Sequence, residues 1–368
     1  MKQIFYFILF ILIAFFVYFT MHYFIFRSIT KFIDFSSKAK TFIKMFFIFS
    51  ALTLPLGVLL SRIMRVHFLS HYAYVWLGII AISFSVFLIE RFIVMIFPNK
   101  ARFFTIIAML LVVLISVYSF LNGTRSPVVK KITIPLKKLP AEMSGFSIVQ
   151  LSDLHLEEYK STNMIVKIVD TVNSLNPDLI VITGDLISGD TCKDYHFCEP
   201  LKKLKSLYGV ISVTGNHEFY AGIQVFLKLA QDLNIKVLRN ERISILNTLQ
   251  IIGLEDDEGK RFVKKGPDLD SAIKGCDLKK PIILLYHRPG GFDKAVKKGV
   301  DLQISGHTHA GQIPPMDILV RLFYKYPYGL YENNGSYIYT SCGTGYWGPP
   351  MHLFSRPEIV QFILVSKE

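Results

Sequence analysis

The sequence predicts a layered α/β domain with two packed sheets, preceded by an N-terminal bundle of transmembrane helices. Three observations carry that expectation. Four long apolar segments fill residues 1–121. From about residue 128 the pattern changes to short apolar runs alternating with amphipathic stretches. Five of those runs stop at Asp, Asn or His beside Gly or a second polar residue, as buried strands do where they turn into a loop. The chain of 368 residues is 51% hydrophobic, with 31 Phe and a mean hydropathy of +0.40, too apolar for one ordinary soluble domain.

The apolar segments are 4–26, 42–60, 74–97 and 103–121, each close to the roughly 18 to 25 residues that span a bilayer core. The first is not expected to be a cleaved signal. It is longer than the usual apolar stretch of about 7 to 15 residues, and no small-x-small site precedes Arg27. Pro55 and Gly57 are tolerable in a membrane helix. Glu90 and Arg91 make the third segment the weakest, so the expectation is about four spans, with two to four open. Residues 1–121 hold eleven Lys or Arg against two Asp or Glu, which is +9 of the chain's formal +13. The basic charge is thus mainly that of residues flanking membrane helices, and nucleic-acid binding is not expected. Arg27, Lys31, Lys38, Lys40 and Lys44 crowd the first loop, which favours a cytoplasmic side for that loop. The expected location is the cytoplasmic membrane, multi-pass, with the catalytic domain on its outer face. Nothing in the sequence fixes an oligomeric state.

Asn122-Gly123 and Ser126-Pro127 are turn signals, and 122–129 is expected to be a linker into a domain at 130–368. Residues 128–136 alternate as an edge strand, 162–175 have helical periodicity ended by Asn176-Pro177, and 222–233 form another helix. Strands follow at 235–238, 243–246 and 249–254, short helices at 268–274 and 291–298, and closing strands at 337–341 and 359–365. Four Cys in this length make no disulfide framework. Cys192 and Cys198 share one polar loop, where they either pair, if the loop faces an oxidising compartment, or remain thiols.

The five runs are 146–151, 179–183, 210–214, 281–285 and 302–305. They lead into Asp153-Leu154-His155, Gly184-Asp185, Gly215-Asn216-His217-Glu218, Tyr286-His287 and Gly306-His307-Thr308-His309. Ligands of layered α/β folds gather beyond strand carboxyl ends, so these side chains are expected at one sheet edge. Carboxylate, amide and imidazole together suit two divalent cations, Mn²⁺ first, with Fe²⁺ or Zn²⁺ as alternatives. Asp153, His155 and His309 can serve one ion, and Asn216, His287 and His307 a second. Asp185 is placed to bridge them. Such a pair holds hydroxide between its members and clamps a phosphoryl group.

This order of motifs resembles the calcineurin-like metallophosphoesterase superfamily over residues 130–366. Within it the chain is similar to the YkuE-like membrane-associated phosphoesterases. That closer likeness rests on Leu151-Ser152-Asp153-Leu154-His155, on Ser305-Gly306-His307-Thr308-His309-Ala310-Gly311-Gln312-Ile313 and on Arg356-Pro357-Glu358. The resemblance implies a four-layer α/β/β/α sandwich. It implies Asp153, His155, Asp185 and His309 on the first metal, Asp185, Asn216, His287 and His307 on the second, and His217 acting on the leaving group. One position departs from the pattern. Ser188 stands where much of the superfamily has an Asp that orients the catalytic His, and Asp190 is the nearest substitute.

The function expected is an integral-membrane, dinuclear-metal phosphohydrolase that cleaves a phosphodiester or pyrophosphate bond by metal-bound hydroxide. Its substrate is expected to be phosphorylated and lipid-linked. The more specific alternative is a UDP-2,3-diacylglucosamine diphosphatase of lipid A synthesis, which needs a cytoplasmic site. The alternative from a different class is a catalytically dead sensor on the same fold. Residues 313–328, aromatic and apolar with Arg321 and Lys325, read as either core packing or a lip at headgroup depth. Residues 345–350 are read as part of the same rim or as a plain loop, and Glu255-Asp256-Asp257-Glu258 as a solvated acidic loop.

Overall fold

Long runs without a polar face become helices with no side to turn to water, and short β-branched runs become strands stacked in two layers. The computed structural model describes residues 2–64, 67–157, 162–188 and 195–367, so the readings at Asp190 and Cys192 lie outside the described residues. The chain divides into two compact units. One is Met1–Thr124 with Ile313–Pro315 and Gly348–Leu353, and the other is Arg125–Gln312 with Met316–Trp347 and Phe354–Glu368.

The first unit contains α1 (Lys2–Phe32), α2 (Ser37–Met64), α3 (His67–Ile96) and α4 (Ala101–Thr124). All four are long and apolar enough to cross a membrane. Ile25, Ile80, Phe87 and Ala108 pack at their centre. Glu90 and Arg91 do not break α3, and each finds one partner on a neighbouring helix. The Thr105 hydroxyl donates to buried Glu90 at 2.7 Å, and Arg91 Nε donates to Ser28 Oγ at 3.2 Å. The helix α4 also runs past the turn signal at Asn122-Gly123. The Asn122 amide donates to the His352 carbonyl at 2.9 Å, and a Cβ on Gly123 would stand 2.8 Å from the Pro350 carbonyl. Only glycine lets that segment lie so close.

The second unit has twelve strands among its described residues: β1 (Val128–Leu136), β2 (Ser147–Leu151), β3 (Leu179–Ile182), β4 (Val210–Ser212), β5 (Ile235–Val237), β6 (Glu241–Ile245), β7 (Leu249–Gly253), β8 (Ile282–Leu285), β9 (Leu302–Ser305), β10 (Gly329–Asn333), β11 (Ser336–Thr340) and β12 (Glu358–Ser366). Its helices are α5 (Thr162–Ser174), α6 (Asn216–Ala221), α7 (Ile223–Asp232), α8 (Gly259–Phe262), α9 (Leu269–Ala272), α10 (Phe292–Lys297) and α11 (Met316–Phe323). The strands make two six-stranded mixed sheets, ordered β1-β12-β2-β3-β4-β5 and β10-β11-β9-β8-β7-β6. The first core lies between them, with Ile148, Val181, Ile211, Ile251, Ile283 and Ile304 from the facing strands. Outside the first sheet, Ile165, Ile168 and Phe226 of α5 and α7 meet Ile180 and Ile182. Outside the second, Ala272 and Ala295 of α9 and α10 meet Ile252 and Leu284. This is the four-layer α/β/β/α arrangement. The central strands are buried on both faces, which is why they read as continuous apolar runs, while β1 at the edge alternates.

The acidic loop differs from its solvated reading. Glu255 and Asp256 are buried. Glu255 accepts from Thr214 Oγ1 at 3.0 Å and Arg239 Nε at 2.7 Å, and Asp256 takes a two-point bond from Arg288 at 2.8 and 2.9 Å. Paired guanidinium groups make burial of those carboxylates tolerable.

Candidate metal centre

Two parallel strands of the first sheet, β2 and β3, and two of the second, β8 and β9, point their carboxyl ends to one rim. The loops that leave them carry the candidate ligands, with β4 supplying Asn216 and His217 through the first turn of α6. All eight side chains come together. Single ligand atoms of Asp153, His155 and His309 lie within 4.8 Å of one another, as do those of Asp185, His287 and His307, and those of His155, Asp185 and His217. Asn216 joins through its Oδ1, 3.2 Å from His287 Nε2.

Asp185 stands between the two groups. Its Oδ2 is 3.6 Å from His155 Nε2 on one side and 3.3 Å from His287 Nε2 on the other. His155 Nε2 faces His309 Nε2 at 3.0 Å, and His307 Nδ1 faces His287 Nε2 at 3.0 Å. Imidazole nitrogens aimed at each other across carboxylates are a donor set that fits divalent cations. His287 Nδ1 lies 2.8 Å from the Thr183 carbonyl, which fixes that nitrogen as the donor and leaves Nε2 for a ligand. His155 Nδ1 lies 2.9 Å from Ser188 Oγ. So Ser188 supports a ligand rather than His217, whose Nδ1 is buried with no hydrogen-bond partner among the described residues.

The backbone holds these groups in an unusual conformation. Asp153, His155, Asp185, His307 and His309 have φ of 51, 45, 52, 74 and 50°. Left-handed non-glycine residues cost on the order of 1 to 3 kcal/mol each and persist where surrounding contacts determine them. Gly184 makes the crowding possible: a Cβ there would lie 2.7 Å from His287 Nδ1.

Charge follows from the burial. In the metal-free chain burial opposes charge on both partners, yet the opposed charges of Asp185 and His287 overcome it. Asp185 is held well below the usual carboxylate range, and His287 is raised to about 10. Burial raises Asp153 to about 6, and burial with the His287 charge keeps His307 neutral, well below the usual imidazole value. A cation entering must therefore expel the proton of His287, so metal affinity rises with pH until His287 loses that proton unaided, above about 10.

Glu218 is the residue to which the sequence reading gave no role. It is fully buried, and its carboxyl accepts from the backbone N–H of Asp185 at 2.9 Å, Gly215 at 2.6 Å and Leu186 at 2.9 Å. Burial and the Asp185 charge raise it to about 8, against the opposing pull of the N–H bonds. It ties the Asp185 turn to the start of α6. The signal was readable as the Glu half of a capping box, three residues after Gly215 and accepting from its N–H. Glu218→Ala is expected to strand three buried donors, at about 1 to 3 kcal/mol each. Thermal melting and metal content of the variant check this, and unchanged values for both would show the clamp to be dispensable.

Residues 146–311 match the family model for calcineurin-like phosphoesterase. A Danio rerio transmembrane protein with a metallophosphoesterase domain is 34% identical over 272 residues, covering 71% of this chain and 62% of that protein. This chain therefore spans less than two thirds of that relative. YkuE, a metallophosphoesterase of Bacillus subtilis, is 33% identical over 245 residues, covering 64% of this chain and 84% of its own. A metallophosphoesterase of Aquifex aeolicus is 35% identical over 262 residues, covering 70% of this chain and 99% of its own. With nearly the whole of that relative matched and the family's motifs at one rim of a four-layer sandwich, this membrane-associated chain belongs to the calcineurin-like metallophosphoesterase family.

Proposed function

We propose that the protein is an integral-membrane phosphohydrolase that cleaves a phosphodiester or pyrophosphate bond in a lipid-linked substrate, with its active site outside the cytoplasm. The observation that carries the reading is the position of Asp185, one buried carboxylate oxygen facing the imidazoles of both donor groups. Asp153, His155, Asp185 and His309 would hold one cation and Asp185, Asn216, His287 and His307 the other, with Mn²⁺ favoured. When bound, such a pair polarises a phosphoryl oxygen and makes water acidic near neutral pH. The remaining work falls to the chain itself. The His217 backbone N–H donates to Asp185 Oδ1 at 2.9 Å, which anchors the start of α6 to the centre. The His217 ring stands 4.6 Å from that of His155, 5.2 Å from Tyr220 and 6.1 Å from Trp347. There it holds a proton for the departing oxygen.

Positive charge supports the orientation. The turns joining α1 to α2 and α3 to α4 lie on one side of a four-helix array, and near them stand Arg27, Lys31, Lys38, Lys40, Lys44, Lys100 and Arg102. In sequence the opposite side is supplied by Lys2 before the first span, Arg62 and Arg65 between the second and third, and Arg125 after the fourth. The positive-inside rule assigns the richer side to the cytoplasm, and the strand that follows α4 to the opposite side. A reporter fused after residue 122, active only when exported, is expected to be active. A silent export reporter with an active cytoplasmic one would reverse the orientation and bring the UDP-2,3-diacylglucosamine diphosphatase reading forward. For the chemistry, purified full-length protein with Mn²⁺ is expected to turn over bis(p-nitrophenyl) phosphate and to stop on chelation. No turnover of any diester or pyrophosphate by metal-loaded protein would favour the sensor reading.

A further inference from the structure

Helix α11, Met316–Phe323, has no buried residue. Met316, Ile318, Leu319, Leu322 and Phe323 are all exposed, the last two at 75% and 81%. At about 100° per residue these five occupy an arc of roughly 160°, with Asp317 and Arg321 on the opposite side. An eight-residue helix is far too short to hold itself together in water. Five bare apolar side chains on one of its faces require an apolar environment.

The surroundings identify that environment. The three residues just before α11, Ile313–Pro315, belong to the unit of membrane-spanning helices, and Ile313 packs there with Ile82 and Met351. The helix thus begins one peptide bond beyond a segment packed among spans. Its polar side carries the exposed Arg321, a residue type that meets lipid phosphate at headgroup depth. Lys325 is already engaged by Asp293 at 2.8 Å, so of the two cations expected in a lip, Arg321 is the one left to face phosphate.

We infer that α11 is an interfacial helix, lying in the plane of the bilayer with Met316, Ile318, Leu319, Leu322 and Phe323 among the upper acyl carbons and Arg321 toward the headgroups. Its partner is the lipid surface itself. The inference stands independently of the reaction the metal centre performs. It gives α11 the lip reading, since that helix contributes nothing to any core, while Ile313 and Tyr326 on either side of it pack into cores.

The test uses the full chain reconstituted in phosphatidylcholine vesicles. A genetically encoded fluorescent amino acid is placed at Phe323, at Ile318, and at Leu207 as an exposed control far from α11 in sequence. Acyl chains brominated near the headgroup are expected to reduce emission about twofold or more at 323 and 318, as for a helix buried roughly 5 to 10 Å into the interface, and not at 207. Aqueous iodide is expected to quench only position 207. Iodide quenching at all three positions overturns the inference, because α11 then faces water. Protection from both quenchers at 323 and 318 also overturns it, because a protein surface, such as a second copy of the chain, then covers the helix.

Discussion

Asp185→Asn is expected to abolish turnover, by a factor on the order of 10⁴ or more, while the domain stays folded. The substitution keeps the shape of the side chain and removes its charge. One oxygen of Asp185 faces imidazoles of both donor groups, so the loss falls on both cations at once. The turn itself should survive. Glu218 grips the backbone N–H of residue 185, which asparagine retains, and the His217 N–H can still donate to an amide oxygen. Metal content should fall from two per chain toward one or none. Near-normal activity with wild-type metal content would sink the bridging role.

His217→Ala is expected to cost about 10²- to 10⁴-fold in rate and to leave metal content unchanged. The ring nitrogen of His217 lies within 4.8 Å of ligand atoms of His155 and Asp185, close enough to be counted as a ligand itself. The variant separates the two roles. A proton donor matters most for poor leaving groups, so the loss should shrink for p-nitrophenyl esters and grow for alkyl esters. Loss of a metal ion, or equal losses for both ester types, would make His217 a ligand or a structural residue instead. Ser188 bears on the same question. Its hydroxyl is spent on His155, and no described carboxylate orients His217.

The five ligand motifs were legible in the sequence because each follows a strand buried on both faces, and an apolar run that stops at Gly-Asp or Gly-His announces its own end. The helices α5, α7 and α10 were legible for a similar reason, since each shows a 3.6-residue period to the sheet it covers. The rest depends on distant partners. The left-handed φ of Asp153, His155, Asp185, His307 and His309 is imposed by contacts between loops of different strands, and no local pattern encodes it. The burial of Glu255 and Asp256 follows from Arg239 and Arg288, the latter 32 residues from Asp256. Helix α11 was legible as an apolar, aromatic stretch but not as a helix. Its period is clear only once both ends are fixed, and its bare face departs from the rule that a helix covers a sheet. Strand β10, Gly329–Asn333, has no apolar alternation to give it away and exists because β11 offers it an edge.

The central claim is that two cations, shared through Asp185, are required for hydrolysis. The direct measurement is reconstitution of chelated full-length protein with Mn²⁺, reading turnover of bis(p-nitrophenyl) phosphate against metal bound per chain. The account predicts almost no activity at the first equivalent, with full activity arriving only as the second is bound. Full activity at one equivalent, or activity that persists without metal, would contradict it.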